Sequence, residues 1–123
     1  FSALLTGRGV YPAVRTTVVA SGYLTYIKKD LHIGIYHNSP TPVISIIITN
    51  DEGYIVQEHE PARKPHGLKH LARRFQVCAV WTKVPKVYRR LLQKERLHIA
   101  LVTTGHPNGI VAGLITQSTR LEP

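Results

Sequence analysis

The sequence predicts an α+β fold that is mainly antiparallel β, either a sandwich or an open barrel. It would contain roughly seven or eight strands and two short helices, since most segments alternate with the period of a strand and tight turns join them. The chain has 123 residues, with a hydrophobic share of 43%. A chain of this length can bury a core without a disulfide or a metal.

Several segments carry the strand signal. Leu31–Tyr36 alternates, with its aliphatic residues on one face. Val43–Thr49 is almost entirely apolar and β-branched, which predicts a central strand covered on both faces. Further strands are predicted over residues 14–27, 54–56, 75–81, 97–103 and 110–116.

Two segments show the helical period instead. Leu68, Leu71 and Phe75 recur at helical spacing and predict a first helix after the prolines at 61 and 65. Pro85–Arg96 predicts a second helix, because proline is favoured in the first turn and an apolar stripe follows it. Both helices would lie against one side or edge of the sheets.

The domain organisation is predicted to be simple. Residues 1–12 contain two glycines and a proline without a clear period, and we expect a loosely ordered N-terminal arm there. Residues 13–120 would form a single β-rich basic domain. No apolar run approaches the ~18 residues of a membrane span. Because Cys78 is the only cysteine, a reducing compartment is favoured, so we expect an intracellular protein of the cytoplasm or nucleus, or a virion component if the protein is viral.

The charge of the chain is strongly unbalanced. Lys and Arg number 16 against 7 acids, a formal net charge of +9, and the pI is about 10.1. Eleven of these 16 cations lie between Arg63 and Arg96, where Glu95 is the only acid. Such clustering predicts a surface that attracts polyanions.

Both predicted helices place cations opposite their apolar stripes. Lys86, Arg90 and Lys94 recur every four residues in the second helix, and Lys69 and Arg73 do so in the first. The face would bind the phosphate backbone of nucleic acid and release counterions. The predicted nucleic-acid-binding residues are Arg63, Lys64, Lys69, Arg73, Arg74, Lys86, Arg89, Arg90 and Lys94.

These observations favour a non-catalytic, sequence-nonspecific nucleic-acid-binding protein, for RNA or DNA. The chain has no zinc-finger spacing, no GxxG clamp and no aromatic RNA-recognition motif, so base-specific recognition is not expected. One alternative is a viral matrix- or coat-like protein that self-assembles as a homo-oligomer and binds acidic membrane or genome. Another is a basic adaptor for an acidic protein partner.

No catalytic residue, cofactor or metal site is predicted. His66 and His70 have the spacing of two metal ligands on one helix turn. However, Lys69 lies between them and Arg73 follows them, and both side chains would repel a metal cation. The chain lacks a glycine-rich phosphate-binding loop after a strand, and its few acids show no spacing typical of acid–base catalysis. We therefore expect no enzyme activity.

Overall fold

The computed structural model describes residues 1–61 and 75–117. Within them the chain forms eight strands, one 3₁₀ turn at Gly7–Gly9 and one α-helix. The strands are β1 (Ser2–Leu5), β2 (Ala20–Ile27), β3 (Asp30–His37), β4 (Val43–Thr49), β5 (Ile55–His59), β6 (Gln76–Trp81), β7 (His98–Thr103) and β8 (His106–Leu114), and the helix is α1 (Lys86–Gln93).

The strands form two four-stranded antiparallel sheets. Sheet A has the order β1-β2-β3-β6, and sheet B has the order β5-β4-β7-β8. Every paired strand is antiparallel, which confirms the prediction of a mainly antiparallel β fold. Over the described part of the chain, the two sheets do not close into a barrel.

One hydrophobic core joins the two sheets. Leu24 and Ile35 of sheet A belong to the same cluster as Ile46, Ile99 and Val111 of sheet B. Alternation explains this arrangement, because successive side chains of a strand point to opposite faces and one face of each sheet is apolar. Burial of these aliphatic side chains is the main contribution to stability, at about 25 cal/mol per Å² of apolar surface.

The central strand β4 is buried on both faces, as its apolar composition predicts. Ile46 and Ile48 enter the core between the sheets. Ile47 faces the other side of sheet B and packs with Ala100 and Ala112. Val10 and Val14 cover part of that outer cluster, so a segment from the beginning of the chain shields part of this face from water.

The first residues differ from the loosely ordered arm that we expected. β1 pairs with β2 over its whole length, and Leu5 is completely buried. The backbones of Ser2 and Thr116 exchange two hydrogen bonds, as do those of Thr6 and Ala112. These bonds join the outer strand of sheet A to β8 of sheet B. Four residues are too few to show a clear period, and this explains why the sequence did not reveal β1.

The join between β1 and β8 depends on close backbone approach. A side chain at Gly113 would collide with the carbonyl oxygen of Leu4, and one at Gly9 would collide with that of Ala112. Glycine is therefore required at both positions, because any Cβ would force the two chain segments apart.

The predicted strand over residues 14–27 begins later than expected, at Ala20. The side chain of Asn38 hydrogen-bonds the residues that precede Ala20. Its Oδ1 accepts from Val19 N at 2.8 Å, and its Nδ2 donates to Thr17 O at 3.3 Å. These bonds satisfy backbone groups that a neighbouring strand would otherwise pair.

One α-helix is found among the described residues where two helices were predicted. The second predicted helix corresponds to α1. The first falls on residues 62–74, which lie outside the described part of the chain, apart from Phe75. No helix in the described ranges has the length and apolar character needed to cross a membrane.

Candidate polyanion-binding surface

Local sequence determines where α1 begins and ends. Pro85 is the N-cap, and the helix continues to Gln93. Glu95 then adopts a left-handed conformation, with φ of 58°. Glu95 N donates to Leu92 O at 3.1 Å, and Arg96 N donates to Leu91 O at 2.9 Å. This is the hydrogen-bond arrangement of a Schellman motif, which satisfies the last carbonyl groups of a helix.

The apolar side of α1 packs on the core. Leu92 is buried, and Tyr88 and Leu91 are half-buried against the same cluster. The rings of Tyr88 and Trp81 have centroids 5.8 Å apart. Val87 is an apolar residue of the same helix, but it is 56% exposed and does not belong to the packed side.

The opposite side of α1 carries exposed cations. Lys86, Arg90 and Lys94 are exposed and lie four residues apart, so they follow one side of the helix. Arg89 is half-buried, and its Nε is buried without a hydrogen-bond partner among the described residues. Arg89 is therefore less accessible than Lys86, Arg90 and Lys94.

Two further lysines, which sequence reasoning did not include, lie beside the start of α1. Lys28 and Lys29 form the two-residue turn between β2 and β3. This turn is joined to the segment before α1 by two hydrogen bonds of 2.9 Å, from Lys83 N to Asp30 Oδ1 and from Val84 N to Lys29 O.

We define the basic end as Lys28, Lys29, Lys83 and Lys86. All four side chains are exposed. The exposed cations of α1 extend this surface along the helix, from Lys86 to Arg90. The cationic surface is therefore assembled from two parts of the chain that are distant in sequence.

Three lysines of the basic end have unusual backbone conformations. Their φ values are 51° for Lys28, 73° for Lys29 and 53° for Lys83. Residues other than glycine, asparagine and aspartate lose about 1–2 kcal/mol in this left-handed region. Two-residue turns of this type favour Asn-Gly, so lysine is present here despite a backbone cost.

The electrostatic environment differs between the two ends of α1. The first turn contains no acid, and the N-cap Pro85 provides no side-chain hydrogen bond. The positive end of the helix dipole therefore adds to the charge of the basic end. At the other end, Glu95 Oε2 accepts from Gln117 N at 3.0 Å, and Asp51 lies 3.4 Å from Arg96. Acids there reduce the local positive charge.

The remaining predicted site residues cannot be placed on this surface. Arg63, Lys64, Lys69, Arg73 and Arg74 lie outside the described residues. The same holds for the spaced pair His66 and His70. Among the described residues, no three His, Cys, Asp or Glu side chains are grouped as a metal site would require.

Comparison with known proteins shows a similarity that extends over nearly the whole chain. The chain is similar to the dorsal-ventral patterning protein Sog of Drosophila melanogaster, at 29% identity over 139 aligned residues. The alignment covers 99% of this chain and 13% of Sog. The chain thus spans about an eighth of the length of this relative. No protein-family model matches, and no solved structure matches.

Proposed function

We propose that this chain is a non-catalytic polyanion-binding domain that holds its partner on the basic end and on the exposed side of α1. Nucleic acid is the preferred partner, bound through its phosphates without base recognition. We further infer that sheets A and B form a β-sandwich that serves as the rigid support of this surface. The common core of the two sheets supports that inference.

The clustering of Lys28, Lys29, Lys83 and Lys86 is the observation that carries the proposal. Two hydrogen bonds hold the β2–β3 turn beside the segment that leads into α1. The backbone itself therefore keeps these lysines near one another. Like charges placed together repel each other. A polyanion would relieve this repulsion and release its counterions, which favours binding at low salt.

The left-handed lysines add support. A turn built only for stability would favour Asn-Gly at positions 28 and 29. The presence of lysine at three left-handed positions favours a role for the charge, because backbone strain is often retained where it serves function.

An acidic protein partner is the second candidate, and the similarity to Sog is compatible with a domain of a longer protein. Sog is named as a dorsal-ventral patterning protein, and the aligned region covers 13% of it. A segment of that size within a longer protein is typical of a single domain. The same basic end would then contact carboxylate side chains instead of phosphates.

The proposal is tested by measuring affinity for a single-stranded and a duplex oligonucleotide between low and moderate salt. We expect the logarithm of the affinity to fall linearly with the logarithm of the salt concentration. The double variant Lys83→Glu with Lys86→Glu should bind much more weakly. Arg8→Glu with Arg15→Glu is the matched control, since it changes the net charge equally and alters exposed cations outside the basic end.

Equal losses in the two double variants would show that net charge alone governs binding, and would contradict the assigned surface. An affinity that does not change with salt would contradict polyanion binding. An acidic protein and anionic lipid vesicles serve as competing partners in the same assay. Stronger, salt-sensitive binding to the acidic protein than to either oligonucleotide would select the adaptor function, and preferential vesicle binding would select a membrane-associated role.

A further inference from the structure

A second feature, separate from the basic end, is a cavity of about 440 Å³ on the outer face of sheet B. Its floor contains Ile47, Ala100 and Ala112, which are direct neighbours across three adjacent strands. Val10 covers part of this floor, and the space beside it remains open, because the two short alanine side chains leave room that larger residues would fill. The volume is within the range of small-molecule sites, ~300–1,000 Å³.

Hydrogen bonds fix both walls of this cavity. On one side, the paired backbones of Thr6 and Ala112 anchor the segment that continues to Val10 and Tyr11. On the other side, Asn50 Oδ1 accepts from the backbone N–H groups of residues 52 and 54 at 2.9 and 3.0 Å. The cavity is therefore formed before a ligand binds, which reduces the entropic cost of binding.

The rim is polar, but its charge is balanced. Among the described residues that line the cavity, Asp51 is the only acid and there is no lysine or arginine. The Asp51 carboxylate lies 3.4 Å from the guanidinium of Arg96. His98 and Asn108 contribute an imidazole and an amide to the lining. These groups favour an uncharged ligand with a hydrogen-bonding edge.

An exposed aromatic ring lies in the same lining. Tyr11 is 95% exposed, so its ring is available to pack against a ligand. A saccharide fits less well, because the aliphatic floor offers no hydrogen bonds to hydroxyl groups that point toward it. A flat ring can instead bury one apolar face on the floor while its polar edge contacts the rim.

We propose that this cavity binds an uncharged aromatic ring with one hydrogen-bonding substituent, such as a phenol or an indole. The ring lies over Ala100 and Ala112, and its hydroxyl or N–H bonds Asn108 or His98. Tyr11 packs against the exposed part of the ring, in the manner of aromatic pairs. The ring could belong to a free small molecule or to a tyrosine or tryptophan side chain of a partner.

The test is an NMR titration of the ¹⁵N-labelled chain with p-cresol and indole, and with the blocked amino acids N-acetyl-tyrosinamide and N-acetyl-tryptophanamide. Benzoate and cyclohexanol serve as charged and non-planar controls. We expect saturable shifts at Ile47, His98, Ala100 and Ala112 with the uncharged aromatic probes. Tighter binding of the free rings would indicate a small-molecule site, and tighter binding of the blocked amino acids would indicate a side chain of a partner.

Two variants test the position of the ring. Ala100→Leu fills the floor and should abolish the shifts. Tyr11→Ala changes a side chain that is almost fully exposed, so the fold should persist while affinity falls about two- to tenfold, the range of one aromatic contact. Tyr36→Ala, which removes an exposed ring from sheet A, is the matched control and should not change affinity.

The proposal is overturned if none of the four aromatic probes produces saturable shifts at the floor residues. It is also overturned if Tyr11→Ala and Tyr36→Ala bind equally well, or if benzoate and cyclohexanol bind as tightly as p-cresol. Because Tyr11→Ala leaves the floor intact, these outcomes remain decisive even if Ala100→Leu does not fold. None of them depends on whether the basic end binds polyanions.

Discussion

The backbone N–H of Lys83 donates a hydrogen bond of 2.9 Å to Oδ1 of Asp30, although 53 residues separate them in the chain. Asp30 is the first residue of β3, and Lys83 precedes α1 by three positions. This bond therefore joins the β2–β3 turn of sheet A to the start of the helix. It gives an acid in a basic region a structural role.

Removing the Asp30 carboxylate should loosen the basic end. We expect Asp30→Ala to lower the free energy of unfolding by about 1 kcal/mol, the usual contribution of one hydrogen bond. Asp30→Asn retains a side-chain oxygen that can accept from Lys83 N and should cost less. Urea denaturation measures both. Equal destabilisation by the two variants would show that the hydrogen bond to Lys83 does not matter.

Replacing the strained lysines should increase stability at the expense of binding. We expect Lys28→Asn with Lys29→Gly to raise the free energy of unfolding by roughly 1 kcal/mol, because these residues tolerate positive φ. The same variant should weaken oligonucleotide binding, because it removes two charges.

The control for this prediction is Lys28→Arg with Lys29→Arg, which keeps both the charge and the backbone strain. It should behave like the native chain in thermal unfolding and in binding. If the Asn-Gly variant binds oligonucleotide as tightly as the arginine variant, the turn does not contribute to the polyanion surface.

The junction between the sheets should be sensitive to a single methyl group. A Cβ at Gly113 would collide with the Leu4 carbonyl oxygen, so Gly113→Ala should lower the free energy of unfolding by roughly 2 kcal/mol or more. Gly105→Ala is the matched control, since no atom lies within 4 Å of its added Cβ. Thermal unfolding should show a lower Tm only for the first variant.

Acid should destabilise the protein through a buried histidine. Burial lowers the pKa of His37 below its ordinary value of about 6.5, so the unfolded chain takes up a proton more readily than the folded one. The stability contribution is fully present above the ordinary histidine pKa. It is lost as the pH falls from that value through the lowered pKa of the folded state.

The measurement is the free energy of unfolding at pH 7.5 and pH 5.5. We expect His37→Asn to lose less stability on acidification than the native chain, because asparagine takes up no proton in this pH range. The fold should persist, because the asparagine oxygen can still accept the bond that Ser39 N donates to His37 Nδ1 at 3.0 Å. Part of the acid sensitivity should remain, since burial also lowers the pKa of His59. A native-like loss of stability on acidification in His37→Asn would contradict this role of His37.

The longer structural elements could be predicted from sequence because their patterns are local. β3 and β4 have clear apolar patterns, and α1 has a proline at its start and an apolar stripe. β1 and the late start of β2 could not be predicted in this way. β1 is stabilised by partners more than 100 residues away as well as by β2, and Asn38 replaces a strand partner for Val19.

The exposed cations of α1 could likewise be predicted from their spacing. Lys28, Lys29 and Lys83 were not among the predicted binding residues, because no local pattern indicates that the β2–β3 turn lies beside the segment before α1. Arg89 was predicted as a binding residue, but its half-buried position on α1 depends on how the helix rotates against the core.

The sequence alone thus determined the β-rich class, the helix from Pro85 and the excess of positive charge, since periodicity, turn residues and composition are properties of neighbouring residues. Tertiary structure alone decided that four lysines from two distant segments form the basic end, and that two alanines form the floor of a cavity. Both features arise from strand register and long-range hydrogen bonds. Such contacts depend on the packing of the whole chain, which local periodicity does not encode.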